Sequence, residues 1–379
     1  MIDKNRLAET FQSLVSIDSV SREDRRLARE LVQSLAKLGT ETRFDTAGEK
    51  VGGDTGNLIA RLEGNASSPP LLLSAHMDTV EPGKGVTPLL RNGVFTSDGT
   101  TILGADDKSA LAIILETLHV LKEDRIVHGP LEIVFTICEE VGLLGAKHLD
   151  YDLLTATYGY VLDATDTDGI VTRAPAANRL ELVVHGKASH AGAAPEKGIN
   201  AIWLTGQAIG GLSLGRVDRE TTCNIGVIEG GIATNIVPDK VIVKGEARSH
   251  DSKKLQAVTD TIVSAFQKAV DVCCIETHNE ERPRLEVNAE KDFPATHIPE
   301  NHPVVTLAQQ AAANLGRNMI CKHSGGGADA NIFFEKGILT GVLGTGMKDV
   351  HTVGESVAVD DMVRSVELLI EIIRLQAGG

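Results

Sequence analysis

A histidine and an aspartate two residues apart, His76 and Asp78, close the apolar run that begins at Leu71. Residues i and i+2 of a β-strand point to the same side, so both side chains would share one face at the carboxyl end of this strand. A carboxylate beside an imidazole commonly orients a metal-binding histidine, because the second ring N–H then has a fixed acceptor. The pair is a candidate for metal chemistry, although Asp78 taken alone could be a turn residue.

Other acidic residues and one more histidine fall at strand ends and in loops. The set consists of His76, Asp78, Asp106, Glu139, Glu140, Asp163 and His351. Imidazole and carboxylate groups without a thiolate suit Zn²⁺, Co²⁺ or Mn²⁺. Two histidines and three of these carboxylates are more ligands than one catalytic zinc ion needs. They suit two ions about 3.5–4 Å apart that share a bridging carboxylate.

The elements that must position these residues follow from the periodicity of apolar residues. Helical spacing is present within 3–38, and a long apolar helix is expected through about residue 122, with Asp107 as its N-cap. Mostly apolar strands are predicted at 57–63, 71–76, 131–138 and 158–163. Apolar strands that alternate with helices predict an α/β sheet covered on both faces, with the chemistry beyond the carboxyl ends of its strands.

A second, α+β domain is expected between residues 176 and 290. Strand-like alternation at 180–188 is followed by a helix at 200–212, further strands near 224–228 and 240–248, and a helix that starts at Ser252. This pattern predicts two helices on a small antiparallel sheet. The first domain would then comprise residues 1–175 and 291–379.

The composition favours a globular protein and argues against nucleic-acid-binding and membrane proteins. A length of 379 residues favours two domains, and 42% hydrophobic with 23% charged residues is typical of a globular protein. A net charge of −15 argues against nucleic acid or an anionic membrane as a partner, and no apolar run is long enough to span a membrane. Five cysteines without a Cys-x-x-Cys motif, and a start without a signal-peptide core, indicate a cytoplasmic protein with reduced thiols.

Four segments together resemble a known family. They are Ser74-Ala-His76-Met-Asp78-Thr-Val80, Gly104-Ala-Asp106-Asp-Lys-Ser109, Glu139-Glu140-Val-Gly-Leu-Leu-Gly145 and a late His351. In this order they are similar to the dinuclear metallopeptidase family that contains peptidase T, succinyl-diaminopimelate desuccinylase, aminoacylase and glutamate carboxypeptidase. The resemblance covers nearly the whole chain. It implies a two-domain α/β fold, a zinc-peptidase-type mixed sheet flanked by helices, with an inserted α+β lid and dimerisation domain.

The resemblance also implies a ligand set for two divalent ions, Zn²⁺ first and Co²⁺ or Mn²⁺ as alternatives. His76, Asp106 and Asp163 would hold one ion. Glu140 and His351 would hold the other, and Asp106 would bridge the two. The peptide bond that follows the bridging aspartate is expected to be cis.

Asp78 and Glu139 receive catalytic roles. Asp78 would orient His76. Adjacent residues of an extended chain face opposite ways, so Glu139 and Glu140 cannot duplicate each other. With Glu140 as ligand, Glu139 is predicted to be the general base, which takes a proton from a metal-bridging water and passes it to the leaving nitrogen.

Further residues are assigned through the resemblance alone. His190, in Ser189-His-Ala-Gly192, would stabilise the oxyanion in the neighbouring subunit, although a surface loop histidine is the alternative. Asn235 and Arg248 would bind substrate, unless Arg248 only forms a surface ion pair. Gly326 and Gly327 would line the substrate pocket; no Gly-Lys-Ser/Thr follows them, which argues against a phosphate loop.

These features predict a cytoplasmic, zinc-dependent, peptidase T-like aminopeptidase. It would hydrolyse the N-terminal residue from short peptides such as tripeptides, as a homodimer formed through the inserted domain. The same catalytic set serves other branches, so an N-acyl amino acid amidohydrolase, a desuccinylase or a carboxypeptidase is the alternative. A non-catalytic binding protein on the same fold would be expected to lack a ligand or the base, and none is missing.

Overall fold

The computed structural model of the chain describes residues 1–276 and 282–378. Its backbone divides into two compact units. The first comprises residues 1–173, 296–324 and the chain from 328 onward, and the second comprises residues 174–295 and 325–327. The sequence placed the inserted domain at 176–290.

The helices are α1 Lys4–Val15, α2 Arg25–Leu38, α3 Ala47–Val51, α4 Ala105–Glu123, α5 Leu144–His148, α6 Ala201–Gly210, α7 Ser252–Glu276, α8 Pro303–Asn314, α9 Asp329–Glu335 and α10 Val359–Gln376. The strands are β1 Glu41–Phe44, β2 Leu58–Leu62, β3 Leu71–His76, β4 Leu89–Arg91, β5 Val94–Thr96, β6 Leu131–Thr136, β7 Tyr158–Ala164, β8 Gly169–Ala174, β9 Ala176–His185, β10 Ser189–His190, β11 Gly215–Arg216, β12 Thr221–Gly230, β13 Ile236–Val237, β14 Lys240–Ser249, β15 Arg284–Phe293, β16 Thr296–His297, β17 Ile320–His323, β18 Leu339–Gly344 and β19 Ser356–Ala358.

The first unit is built on a mixed sheet with the strand order β1-β2-β6-β3-β7-β18-β8-β16, and β17 pairs with β8. Its centre is parallel, because β3 pairs in parallel with both β6 and β7, and β7 pairs in parallel with β18. The flanking pairs β1–β2, β2–β6 and β18–β8 are antiparallel. The predicted α/β class with a mixed sheet is confirmed.

Successive residues of β3 enter different hydrophobic cores. Leu73 and Ala75 join the core that contains Leu7 of α1 and Leu111 of α4. Leu72 joins the core on the other side, with Phe333 of α9. Each fully buried leucine stabilises the fold by about 1.5–3 kcal/mol. Two separate cores on alternating residues are the pattern of a sheet with helices on both faces.

The second unit has its own antiparallel sheet, with the strand order β11-β12-β14-β9-β15, and a short ribbon of β10 and β13. Alternate residues of its central strands, Leu182 and Val243 among them, pack with Leu204 of α6 and Phe266 of α7. This α+β arrangement agrees with the prediction for the inserted domain.

The register of the central strands places their carboxyl ends side by side. His76 is paired with Thr136 across β3 and β6, and Ser74 is paired with Val161 across β3 and β7. The residues that follow Thr136 and Val161 therefore lie beside His76. None of the described helices combines the length and apolar character that crossing a membrane requires.

Candidate metal centre

His76 occupies the carboxyl end of β3, where it is almost entirely buried. Its Nδ1 lies 2.8 Å from the backbone carbonyl oxygen of Asp78. A carbonyl oxygen only accepts, so Nδ1 carries a hydrogen and Nε2 is the atom available for a metal ion. Nε2 lies 3.1 Å from Oδ1 of Asp106.

Asp78 acts differently from the sequence-based expectation. We expected its carboxylate to orient the His76 ring, but Oδ1 is 3.7 Å from Nδ1 and the backbone carbonyl makes that contact instead. The buried carboxylate accepts hydrogen bonds from the N–H groups of Glu139 at 2.8 Å and Glu140 at 3.3 Å, and from the Ser21 hydroxyl at 2.6 Å. Asp78 thus fixes the backbone of both glutamates.

Asp106 lies between the two histidines. Its Oδ1 faces His76, and its Oδ2 lies 3.2 Å from Nε2 of His351. That same Nε2 lies 3.0 Å from Oε2 of Glu140. Asp106 and Asp107 have non-helical backbone angles at the start of α4, and the peptide bond between them is cis, as the resemblance implied. One carboxylate oxygen for each histidine is the arrangement that a bridging ligand requires.

The spacing of these atoms fits divalent ions. Donor atoms of His76, Asp106 and Glu140 all lie within 4.8 Å of one another. Two ligands on one tetrahedral zinc ion, with bonds of about 2.0–2.1 Å, are about 3.4 Å apart. The nitrogen–oxygen separations of 3.0–3.2 Å around Asp106 and His351 are close to that value.

Neighbouring carboxylates favour the protonated form of both histidines when no metal is bound. Burial acts to lower the pKa of His76, but its hydrogen bond to Asp106 and the surrounding carboxylates raise it well above the ordinary value. The hydrogen bonds of His351 to Asp106 and Glu140 raise its pKa to about 10. A metal ion would replace these protons, since imidazole binds metals only in its neutral form.

The carboxylates of Asp163 and Glu139 also need a nearby cation if they are to be ionised. Burial raises the pKa of Asp163 and of Glu139 well above the ordinary value, and neighbouring carboxylates raise both further. Among the described residues, the leading electrostatic influences on this pair are other acids and His76, with no lysine or arginine. Divalent ions would supply the missing positive charge. Asp163 thus belongs to the same cluster as the ligands above.

The sequence did not predict the roles of two buried acids at the centre, Asp107 and Glu355. Asp107 was expected to cap α4, but α4 begins at Ala105 without a side-chain cap, and Asp107 Oδ2 accepts the His76 N–H at 3.1 Å. Glu355, which is 1% exposed, accepts three backbone N–H groups next to Asp106. Only its place four residues after His351 could have drawn attention to Glu355.

His190 and Asn235 lie in the second unit, next to each other. Nδ1 of His190 accepts hydrogen bonds from the N–H groups of Gly192 and Ala193, both at 3.1 Å. The exposed ring therefore carries its hydrogen on Nε2, from which it can donate. The backbone oxygen of Asn235 accepts the Ala191 N–H at 2.9 Å, which places Asn235 beside the His190 segment.

Arg248, Gly326 and Gly327 also belong to the second unit. Arg248 pairs with Glu246 at 2.9 Å, and its guanidinium lies 5.8 Å from the centre of the Phe293 ring. A β-carbon on Gly327 would come within 2.5 Å of that ring, so the ring would have to shift for any other residue, and packing favours glycine there. The substrate-binding roles of these residues and of Asn235 remain predictions.

The chain is similar to known peptidases in sequence and in structure. The sequence profile described as Peptidase family M20/M25/M40 matches residues 72–375. The Bacillus subtilis protein YqjE, described as uncharacterized, is 40% identical over 374 residues, which cover 98% of this chain and 99% of that one. Two crystal structures are each 38% identical with complete coverage of both chains: a tripeptidase from Staphylococcus aureus, with a TM-score of 0.91, and aminopeptidase PepT from Bacillus cereus, with a TM-score of 0.86.

A further buried acid, Asp24, influences the stability of this region. It directly precedes α2, is fully buried, and neither carboxylate oxygen has a hydrogen-bond partner among the described residues. Burial, followed by the charges of Asp78 and Asp54, raises the pKa of Asp24 to about 9. Asp24 is therefore a neutral acid at pH 7.

Replacing Asp24 with asparagine should stabilise the metal-free protein increasingly as the pH rises. The folded wild type holds the Asp24 proton up to a pKa of about 9, whereas the unfolded chain releases it near 3.8. The free energy of unfolding therefore falls between these values, and Asp24→Asn removes that loss. Melting curves in EDTA should show a larger gain at about pH 9 than at about pH 5. Asp152→Asn, at an exposed site, should leave the wild-type pH profile unchanged. Equal gains at both pH values would contradict the assignment.

Proposed function

The chain belongs to peptidase family M20/M25/M40, and on that premise we propose that it is a cytoplasmic two-metal aminopeptidase that removes the N-terminal residue from short peptides. The observation that carries the proposal is Asp106, with one oxygen at His76 and the other at His351. The 38% identity to an aminopeptidase and to a tripeptidase supports the peptide substrate. The thiols of Cys138, Cys223 and Cys321, which form no disulfide within the described part of the chain, support the cytoplasmic location.

The proposed ligands are those that the resemblance implied: His76, Asp106 and Asp163 for one ion, and Asp106, Glu140 and His351 for the other. Zn²⁺ suits this donor set, with Co²⁺ or Mn²⁺ as alternatives. When bound, the two ions would polarise the peptide carbonyl and lower the pKa of a water molecule to about 7.

Glu139 would transfer the proton. Its N–H is held by Asp78, while the neighbouring Glu140 points its carboxylate at His351. Glu139 and Glu140 lie in the turn that follows β6, and the Glu140 carboxylate makes the contact with His351, so the buried Glu139 carboxylate can serve as a base. It would take the water proton and deliver it to the leaving amine. His190 would donate its Nε2 hydrogen to the oxyanion, and Asn235, Arg248, Gly326 and Gly327 would hold the substrate.

Product analysis should identify the bond that is cleaved. We expect release of the first residue alone from a tripeptide with three different residues, after loading with Zn²⁺ or Co²⁺, and no reaction in EDTA. Mass spectrometry of the products measures this directly, with an N-acetyl amino acid as a second substrate. Removal of the acetyl group, or release of the last residue, would contradict the aminopeptidase and assign the chain to the deacylase or carboxypeptidase branch.

Replacing Glu139 with glutamine should lower kcat by about 10²- to 10⁴-fold, because the amide cannot accept the water proton. Both metal ions should remain bound, as measured by elemental analysis of the purified protein. Glu140→Gln is the matched control, since it should lose metal as well as activity. Unchanged turnover in Glu139→Gln with full metal content would show that another group is the base.

We infer a homodimer formed through the second unit. The pairing of β12 with β11 involves only Thr222 and Cys223. From Asn224 onward, the outer edge of β12 has no partner strand among the described residues. Ile228 on that strand is 56% exposed, and Trp203 on α6 is 50% exposed. An unpaired edge with exposed apolar side chains is a template for another strand, and a second copy of β12 could pair with it.

Light scattering should therefore report a dimer for the wild type and a monomer for Ile228→Lys, because a charge on this edge opposes strand pairing. Val287→Lys is the matched control: Val287 is 44% exposed on β15, at the other edge of the same sheet, and its replacement should leave the dimer intact. A fully active wild-type monomer would exclude both the dimer and the action of His190 in a neighbouring subunit.

A further inference from the structure

Glu355 makes a contact that none of the proposed catalytic steps uses. Its Oε2 accepts hydrogen bonds from the N–H groups of Leu103 at 2.8 Å and Gly104 at 2.7 Å, and its Oε1 accepts the Asp106 N–H at 2.9 Å. The side chain is 1% exposed. One buried carboxylate thus satisfies three backbone donors in the turn that delivers Asp106.

That turn needs an acceptor from elsewhere in the chain. Gly104 adopts a left-handed conformation with φ 76°, Asp106 is non-helical, and α4 has no side-chain cap at its start. Without Glu355, three N–H groups at the start of α4 would lose their acceptor inside the protein. An unsatisfied buried donor is unfavourable in a folded protein, so the turn would rearrange.

Glu355 also belongs to the segment that carries His351. Backbone hydrogen bonds between Lys348 and Ser356, of 2.8 and 3.0 Å, close this segment at its base, and β19 continues from it to pair with β5. One closed loop therefore presents His351 and holds the turn of Asp106. Asp106 and His351 are therefore connected in two ways: by their direct contact of 3.2 Å and by the hydrogen bonds of Glu355 to the turn of Asp106.

We propose that Glu355 is a positioning residue that fixes the bridging aspartate relative to the His351 loop, so that both metal sites are preformed before metal binds. Its carboxylate contacts backbone N–H groups and acts on the site only through Asp106. The inference rests on the proposed two-metal function, but its tests measure metal binding and backbone protection and need no peptide turnover.

Glu355→Gln tests the role in metal binding. An amide has a single oxygen, so at least one of the three N–H groups must lose its acceptor. We expect the affinity for Zn²⁺, measured against a chromophoric chelator, to fall by about 10- to 100-fold, with a lower kcat and an unchanged KM. Metal affinity equal to that of the wild type would overturn the proposal.

Glu132→Gln is the matched control. Glu132 is also 1% exposed, and it accepts hydrogen bonds from the N–H groups of Thr155 and Ala156 near the start of β6, at the opposite end from the metal centre. This variant should lose thermal stability as Glu355→Gln does, but keep the wild-type affinity for Zn²⁺. An equal loss of metal affinity in both variants would show that Glu355 acts only through overall stability, and this would overturn the proposal.

Hydrogen exchange in the wild type gives a test without any variant. If the turn is preformed, the amides of Leu103, Gly104 and Asp106 should be protected in the metal-free protein as strongly as in the zinc-loaded protein. Protection that arises only with metal would overturn preformation. A protein that cleaves no peptide, yet shows the expected exchange and affinity results, would refute the proposed function and leave this inference standing.

Discussion

The burial of several carboxylates at one edge of a parallel sheet is the constraint on which the rest of the structure depends. Three adjacent strands, β6, β3 and β7, end in or just before acidic and histidine side chains, and the register brings those ends together. In a low-dielectric interior such a cluster is unstable unless protons or metal ions neutralise it. The raised pKa values of Asp163, Glu139 and His351 all express this one requirement.

Backbone N–H groups give the cluster its geometry. Asp78 receives the N–H groups of Glu139 and Glu140, Asp107 receives that of His76, and Glu355 receives that of Asp106. Each of these acids is buried and orients main chain next to a proposed ligand or base. Such hydrogen bonds from main-chain N–H groups to buried side chains suit a site whose ligands must be held at fixed distances.

The sequence predicted the strands and their terminal residues well, because apolar runs that end in acids are a local signal. The residues His76 and Glu140 could be found in this way, and the metal-bridging role of Asp106 came from motif resemblance. Glu355 could not be found, since its partners lie about 250 residues away and no spacing rule connects them. Asp107 was interpreted wrongly because its position before an apolar helix imitates a cap, whereas its carboxylate accepts the His76 N–H.

The separation of residues between the two units explains why the motifs predict the reaction better than the substrate. Every proposed ligand and the proposed base belong to the first unit, whereas His190, Asn235, Arg248, Gly326 and Gly327 belong to the second. The chemistry of two metals acts on any amide, so the first unit alone does not choose between a peptide and an N-acyl amino acid. Selection must come from groups that contact the ends of the substrate. Among these candidates, Gly327 already has a packing reason to be glycine, because its neighbour is the Phe293 ring, so its residue type alone carries no evidence for substrate binding.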